Sequence, residues 1–135
     1  MTRPSNKVGS EIILRDKQFC NLSEVVVRPT DTFETLLEKV ELATILGTLQ
    51  SMVDNFNFVS EEWTKNTQEE RLLGVSLTGI YDNDVLSGKE GPEVLTRWLN
   101  TLRDYAREVN HAWADMLGIE RSTAITCVDF CALQQ

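Results

Sequence analysis

Glu11 and Cys20 are the residues of this chain best suited to do chemistry together. They stand in the runs Gly9-Ser10-Glu11 and Phe19-Cys20-Asn21-Leu22-Ser23-Glu24-Val25. Between them the turn Arg15-Asp16-Lys17-Gln18 separates two apolar runs, which sets the carboxylate and the thiol a fixed distance apart. A carboxylate and a thiol held at one spacing are residue types that could do chemistry, and the spacing by itself does not say which. Each also has a plainer reading: Glu11 as a solvated carboxylate at a strand end, and Cys20 as a small buried apolar residue.

Other candidate groups point to structure. Cys127 and Cys131 are four positions apart and His111 is the only histidine, which leaves too few ligands for a zinc site. Tyr81-Asp82-Asn83-Asp84 lacks the remainder of a calcium loop and its glutamate, so it reads as a polar turn. His111, Tyr105 and Trp113 lie on or beside an apolar helical stripe, where core or partner packing is the expected role.

The chain has 135 residues, 41% of them hydrophobic and 25% charged, with a formal net charge of −8. That length and composition fit one folded domain or less and argue against disorder. The negative balance makes duplex nucleic acid a poor partner, because phosphate contacts need a basic footprint. It leaves nucleotides open, since a few backbone amides and one cation can hold them. Three cysteines and a polar N-terminus predict a reducing compartment, and no apolar run approaches the ~20 residues of a membrane span. A cytoplasmic protein without membrane contact is the expectation.

The elements that would position Glu11 and Cys20 are legible in part. Ile12-Ile13-Leu14 and Val25-Val26-Val27 read as short strands, the second ended by Pro29. Thr30-Asp31-Thr32 offers a helix cap, with Glu34 three residues after Asp31 as in a capping box. Phe33, Leu36, Leu37, Val40, Ala43, Leu46 and Leu49 then follow a helical period. Beyond Leu42 the apolar residues occupy more than one face, which predicts burial of the second half on several sides. A polar stretch over 60–71 holds only Trp63 as a large apolar group, and residues 72–80 read as a buried strand ending in a glycine turn. Pro92 suits a helix start and Gly118 a helix stop. Between them an apolar stripe runs over 94–117, predicted to lie on the sheet. Residues 124–128 read as a last strand. From Val25 onward the order strand, helix, strand, helix, strand implies parallel strands with helical crossovers and open sheet edges.

These residues together resemble the catalytic barrel of the adenosylcobalamin-dependent (class II) ribonucleotide reductases, closest to the ribonucleoside-triphosphate type. In that family the active-site segment reads Asn-x-Cys-x-Glu. Glu11 stands at the family's glutamate, while Gly9 falls at the radical-bearing cysteine and Lys7 at the asparagine. Leu46-Gly47-Thr48-Leu49-Gln50-Ser51 is similar to the first barrel helix after the active-site loop. Gly74-Val75-Ser76-Leu77-Thr78-Gly79-Ile80-Tyr81-Asp82 is similar to the next strand and turn. Gly118-Ile119-Glu120 and Thr123-Ala124-Ile125-Thr126-Cys127-Val128 resemble the approach to the family's Pro-Ser-Gly-Thr loop. Agreement of several segments in one order over 10–128 gives the resemblance its weight.

The resemblance implies an α/β partial barrel: three parallel strands alternating with two long helices, preceded by an active-site finger-loop segment. It divides the chain into a non-matching segment 1–9, the barrel fragment 10–128 and a non-matching tail 129–135. It further implies reduction of ribonucleotides to 2'-deoxyribonucleotides with adenosylcobalamin as cofactor. Glu11 would shuttle a proton at the sugar, and Cys20 would be one member of the reducing thiol pair. The substrate would be a ribonucleoside triphosphate or diphosphate, and the chain would associate with the remaining barrel segments or with itself. With Gly9 at the radical position the chain alone is expected to be inactive. The departures at both ends suggest a split gene or a truncated reading frame. The competing expectation is a non-catalytic α/β interaction module, or a decaying gene product, derived from the same barrel.

Overall fold

A computed structural model describes residues 14–126 of the chain. Its elements are β1 (Asn21–Val26), α1 (Phe33–Gln50), α2 (Glu61–Glu70), β2 (Leu73–Thr78), a short 3-10 turn (Ile80–Asp82) and α3 (Pro92–Leu117). β1 and β2 are parallel, in register from Asn21↔Leu73 to Val26↔Thr78. The class is α/β, as the alternation of apolar runs requires once a helix must connect two parallel strands.

Among the described residues the sheet has two strands. Its third member is a single parallel bridge, Val75↔Thr126, supported by amides of Leu73 and Val75 donating to the carbonyls of Ala124 and Ile125 at 3.0 and 2.9 Å. The expected strand over 124–128 is therefore a bridge as far as Thr126, and Cys127 and Val128 lie outside the described residues. The expected three-stranded partial barrel is, among the described residues, a two-stranded sheet with one flanking bridge. The expected strand at Ile12-Ile13-Leu14 falls mostly outside the described residues, and Leu14 itself carries no strand.

α1 begins one residue later than the Asp31–Glu34 spacing implies. Thr32 is the cap: its hydroxyl accepts from the Thr35 amide at 3.3 Å, and the Thr35 hydroxyl accepts from the Thr32 amide at 2.9 Å. Leu36, Val40, Ala43, Thr44, Gly47 and Thr48 form the buried face. The threonines are tolerated there because their hydroxyls donate back to Val40 and Thr44 carbonyls at 2.7 and 2.8 Å. A Cβ at Gly47 would sit 3.3 Å from the Leu73 side chain, so glycine lets the helix approach β2 closely. The second half of α1 is not buried on several sides: Leu42, Leu46 and Leu49 face outward and are exposed.

The polar stretch over 60–71 contains α2, which the sequence pattern does not reveal. It has helix-forming Glu, Lys and Gln but only Trp63 as a large apolar anchor, and it ends at Arg71 in a left-handed conformation (φ 40°). α3 runs from Pro92 to Leu117 and stops at Gly118 (φ 71°), as its punctuation predicts. It packs chiefly on α1, and only part of its stripe is buried: Leu102, Ala106, Val109 and Ala114 are inside, while Leu99 and Met116 are exposed. Trp98, half-buried, meets Phe33 with ring centroids 5.3 Å apart. One apolar core joins both helices to the sheet through Val25, Val27, Leu36, Val40, Val75, Leu102 and Ala106.

Candidate functional site around Cys20

Cys20 lies half-buried immediately before β1. The residues on either side of it are anchored. Phe19 meets Phe56 and Trp63 in tilted ring contacts, at centroid distances of 4.8 and 4.6 Å. Asn21 ties to β2, its amide donating to the Leu72 carbonyl at 2.9 Å and its side chain to the same oxygen at 3.2 Å.

The turn that leads to Cys20 is docked on α2 by polar contacts. Lys17 adopts a positive φ of 55°, and the Arg15 amide donates to Gln18 Oε1 at 2.9 Å. Asn66 donates from Nδ2 to the Asp16 and Lys17 carbonyls at 3.2 and 3.0 Å. Gln18, only 4% exposed, donates to Glu70 Oε2 at 2.5 Å. The Arg15 guanidinium stands 3.3 Å from Glu70 and 3.5 Å from Glu69, in ion-pair range without hydrogen-bond alignment. Lys17 pairs with Glu62; the hydrogen bond and charge of this pair push the lysine up and hold the Glu62 carboxyl down. Both groups are at the surface, so the pair adds little stability. Behind α2 the buried Arg71 donates to the Ser51 carbonyl at 2.6 Å and lies 3.9 Å from Asp54.

Strand alternation gives the site its orientation. Val25 and Val27 belong to the core, and the Ser23 hydroxyl donates to the Ala43 carbonyl of α1 at 2.9 Å. Leu22, Glu24 and Val26 point the other way and are all exposed, Leu22 at 58% and Val26 at 44%. Cys20 continues their alternation by position. Glu24 accepts a hydrogen bond from the Thr78 hydroxyl of β2. Glu11, the intended partner of Cys20, lies outside the described residues, as do Cys127 and Cys131.

The remaining sequence candidates take structural places. Tyr105 donates to Glu41 at 2.9 Å and so links α3 to α1; that hydrogen bond, with burial and the carboxylate's charge, pushes the phenol up. His111 and Trp113 are half-buried on α3. Within Tyr81-Asp82-Asn83-Asp84, Asn83 is buried, donates to the Asp31 carbonyl at 3.2 Å and accepts from the Val85 and Leu86 amides, both at 3.1 Å. It fastens the loop after β2 to the loop after β1.

Asp31 is the charged centre of that fastening. Burial pushes its carboxyl up, but hydrogen bonds from Lys39 Nζ at 2.6 Å, the Arg28 amide at 2.7 Å and the Thr35 hydroxyl at 3.0 Å outweigh burial and hold it below the usual carboxylate range. A carboxyl held low in the folded chain contributes stability above its unfolded pKa of about 3.9, lost as pH falls through the lower folded value. Asp31→Asn is therefore expected to destabilise the chain at pH 7 by about 1–2 kcal/mol. The gap to the parent should close under acid, below about pH 4. Thermal melts across pH check this, and a gap that stays constant into acid would refute it.

No protein-family model, curated protein or solved structure matches the chain. No helix among the described residues is long and apolar enough to cross a membrane.

Proposed function

We propose that this chain is a piece of the catalytic barrel of an adenosylcobalamin-dependent ribonucleotide reductase, a cytoplasmic protein in which Cys20 is one of the two reducing thiols and Glu11 the proton-shuttling carboxylate. The observation that carries the reading is the placement of Cys20. It precedes β1 on the alternation of Leu22, Glu24 and Val26, the side away from α1. In barrels of parallel strands the helices form the outer layer, so the side of the sheet away from α1 would be the inner one. Residues 124–128 would be the third parallel strand of this wall. A parallel sheet with one face left exposed is itself uncommon, and closing a barrel would cover that face.

Among the described residues, the groups around the Cys20 turn do not fit the cofactor that the family implies. The carboxylates there are Asp16 on the turn itself and Glu62, Glu69 and Glu70 on α2, the last three engaged by Lys17 and Arg15. Carboxylates are hard ligands suited to magnesium or calcium, and the single imidazole, His111, sits on α3. What the chain's own residues supply is a thiol held in place by Phe19 and Asn21 on a docked turn. Gly9 stands where the family's radical-bearing cysteine belongs, so the chain alone does not turn over.

A chimera tests the reading. Residues 10–128 would replace the corresponding segment of an active adenosylcobalamin-dependent reductase that keeps its own radical cysteine. Turnover of a ribonucleoside triphosphate with a dithiol reductant is expected in the chimera and lost on Cys20→Ser. An inactive chimera that folds and binds nucleotide would sink the proposal. The second reading, a non-catalytic interaction module, is favoured by one observation, the exposed leucines on the outer side of α1.

A further inference from the structure

Four apolar side chains form a row on the outer side of α1. Leu42, Leu46 and Leu49 are 63%, 64% and 40% exposed, and Val53, in the turn that prolongs the helix, is 64% exposed. The backbone keeps coiling past Gln50, with the amides of Ser51, Met52 and Val53 donating to the carbonyls of Gly47, Leu49 and Gln50 at 2.9, 3.1 and 3.0 Å. The steps from Leu42 to Val53 are four, three and four residues. On a helix that spacing puts all four on one side, and it is the spacing at which two helices pack along a shared seam. Single exposed leucines are ordinary, but a row of exposed apolar side chains along one side of a helix marks an interaction surface.

Charge decides what fits it. α1 carries Glu34, Glu38 and Glu41 against the single cation Lys39. Lys39 is itself engaged by Asp31 at 2.6 Å and by the Val26 carbonyl at 2.9 Å, and Glu41 by Tyr105. Glu34 and Glu38 are exposed, and at four-residue steps they continue the line of Leu42 and Leu46. A second copy would set this acidic rim against itself, in a chain whose net charge is −8. We propose that the outer side of α1, along residues 42–53, docks a basic amphipathic helix of a partner protein. The partner's apolar residues would recur at the same seam spacing, flanked by Lys or Arg that face Glu34 and Glu38. A seam of four side chains is short beside the ~800 Å² that each partner buries in a standard interface, so the complex is reversible. Neither Glu11 nor Cys20 belongs to this surface.

Three synthetic helical peptides of about five turns provide the probes. One has leucines at the seam spacing with lysine flanks, the second has serine in place of those leucines, and the third has glutamate flanks. Binding to the full chain is read by fluorescence anisotropy at two salt concentrations. The leucine–lysine peptide is expected to bind, more weakly at high salt, and the other two to bind at least about tenfold more weakly. Leu46→Glu/Leu49→Glu should weaken the leucine–lysine peptide by a similar factor. Both leucines are exposed, so this variant should melt like the parent. Glu34→Lys/Glu38→Lys is an independent check and should shift preference toward the glutamate-flanked peptide. Equal binding of the serine peptide, or unchanged binding by both variants, would overturn the proposal. So would sedimentation showing a dimer of the parent that Leu46→Glu dissociates, which assigns the surface to a second copy.

Discussion

Replacing Asn110 with leucine is expected to lower the unfolding free energy by about 2–4 kcal/mol, at ~1–3 kcal/mol for each buried polar group left without its partner. Asn110 is 1% exposed, and its amide nitrogen donates to the Thr48 and Ser122 hydroxyls, both at 3.0 Å. Its carbonyl oxygen accepts from the Ser122 amide, also at 3.0 Å. One side chain thus joins α3 to α1 and to the segment that leads into Ala124 and the bridge on β2. Leucine fills a comparable volume, so the loss would come from hydrogen bonds and not from a cavity. Thr48 keeps its bond to the Thr44 carbonyl, at 2.8 Å. The buried Ser122 amide loses its acceptor, and the segment over 122–126 should loosen first. Urea denaturation gives the magnitude, and an unchanged slope would show that the denatured state is not involved. A variant as stable as the parent would mean that the clamp contributes nothing net.

Leu36→Ala is expected to cost about 2–5 kcal/mol, the range for emptying a buried aliphatic site. Leu36 is 0% exposed and sits in the core with Val25, Val27, Val40, Leu102 and Ala106. Against the 5–15 kcal/mol typical of a whole domain, such a loss would lower the melting temperature strongly. Leu46→Ala on the same helix, at a position 64% exposed, should stay within about 0.5 kcal/mol. The contrast is the measurement: similar costs at the two positions would mean that α1 is buried on both sides.

Leu36 and Leu46 also show where the sequence stops being informative. Both fit a helical period, and the element they predict is there. Periodicity reports an apolar face but not whether anything covers it, so the second face of α1 reads as buried when it is exposed. α3 is legible at both ends because Pro92 and Gly118 act locally through a missing amide hydrogen and a left-handed φ. α2 is not legible, because contacts from far along the chain fix it. Gln18 bonds to Glu70, and Phe19 packs on Trp63. No spacing within 60–71 announces those partners. The same distance hides the Asn110 clamp, since a lone asparagine in an apolar stripe reads as a surface residue until Thr48 and Ser122 are seen around it. Of the candidate site, the position of Cys20 at the mouth of β1 follows from the valine run after it. Its polar setting on α2 does not.

Parallel pairing in this chain has a kinetic consequence. β1 meets β2, and β2 meets Thr126, only across connections of about fifty residues, whereas α1 and α3 each close their hydrogen bonds locally. Loop closure of that length must come before any ladder hydrogen bond can form, and docking α1 on α3 around Leu36, Leu102 and Ala106 closes a separation at least as long. Helix formation within α1 and α3 is the step that can lead, so substitutions that weaken either helix should slow refolding, whereas substitutions in the register from Asn21↔Leu73 to Val26↔Thr78 should mainly speed unfolding. The sheet that carries Cys20 would assemble after the helices that flank it.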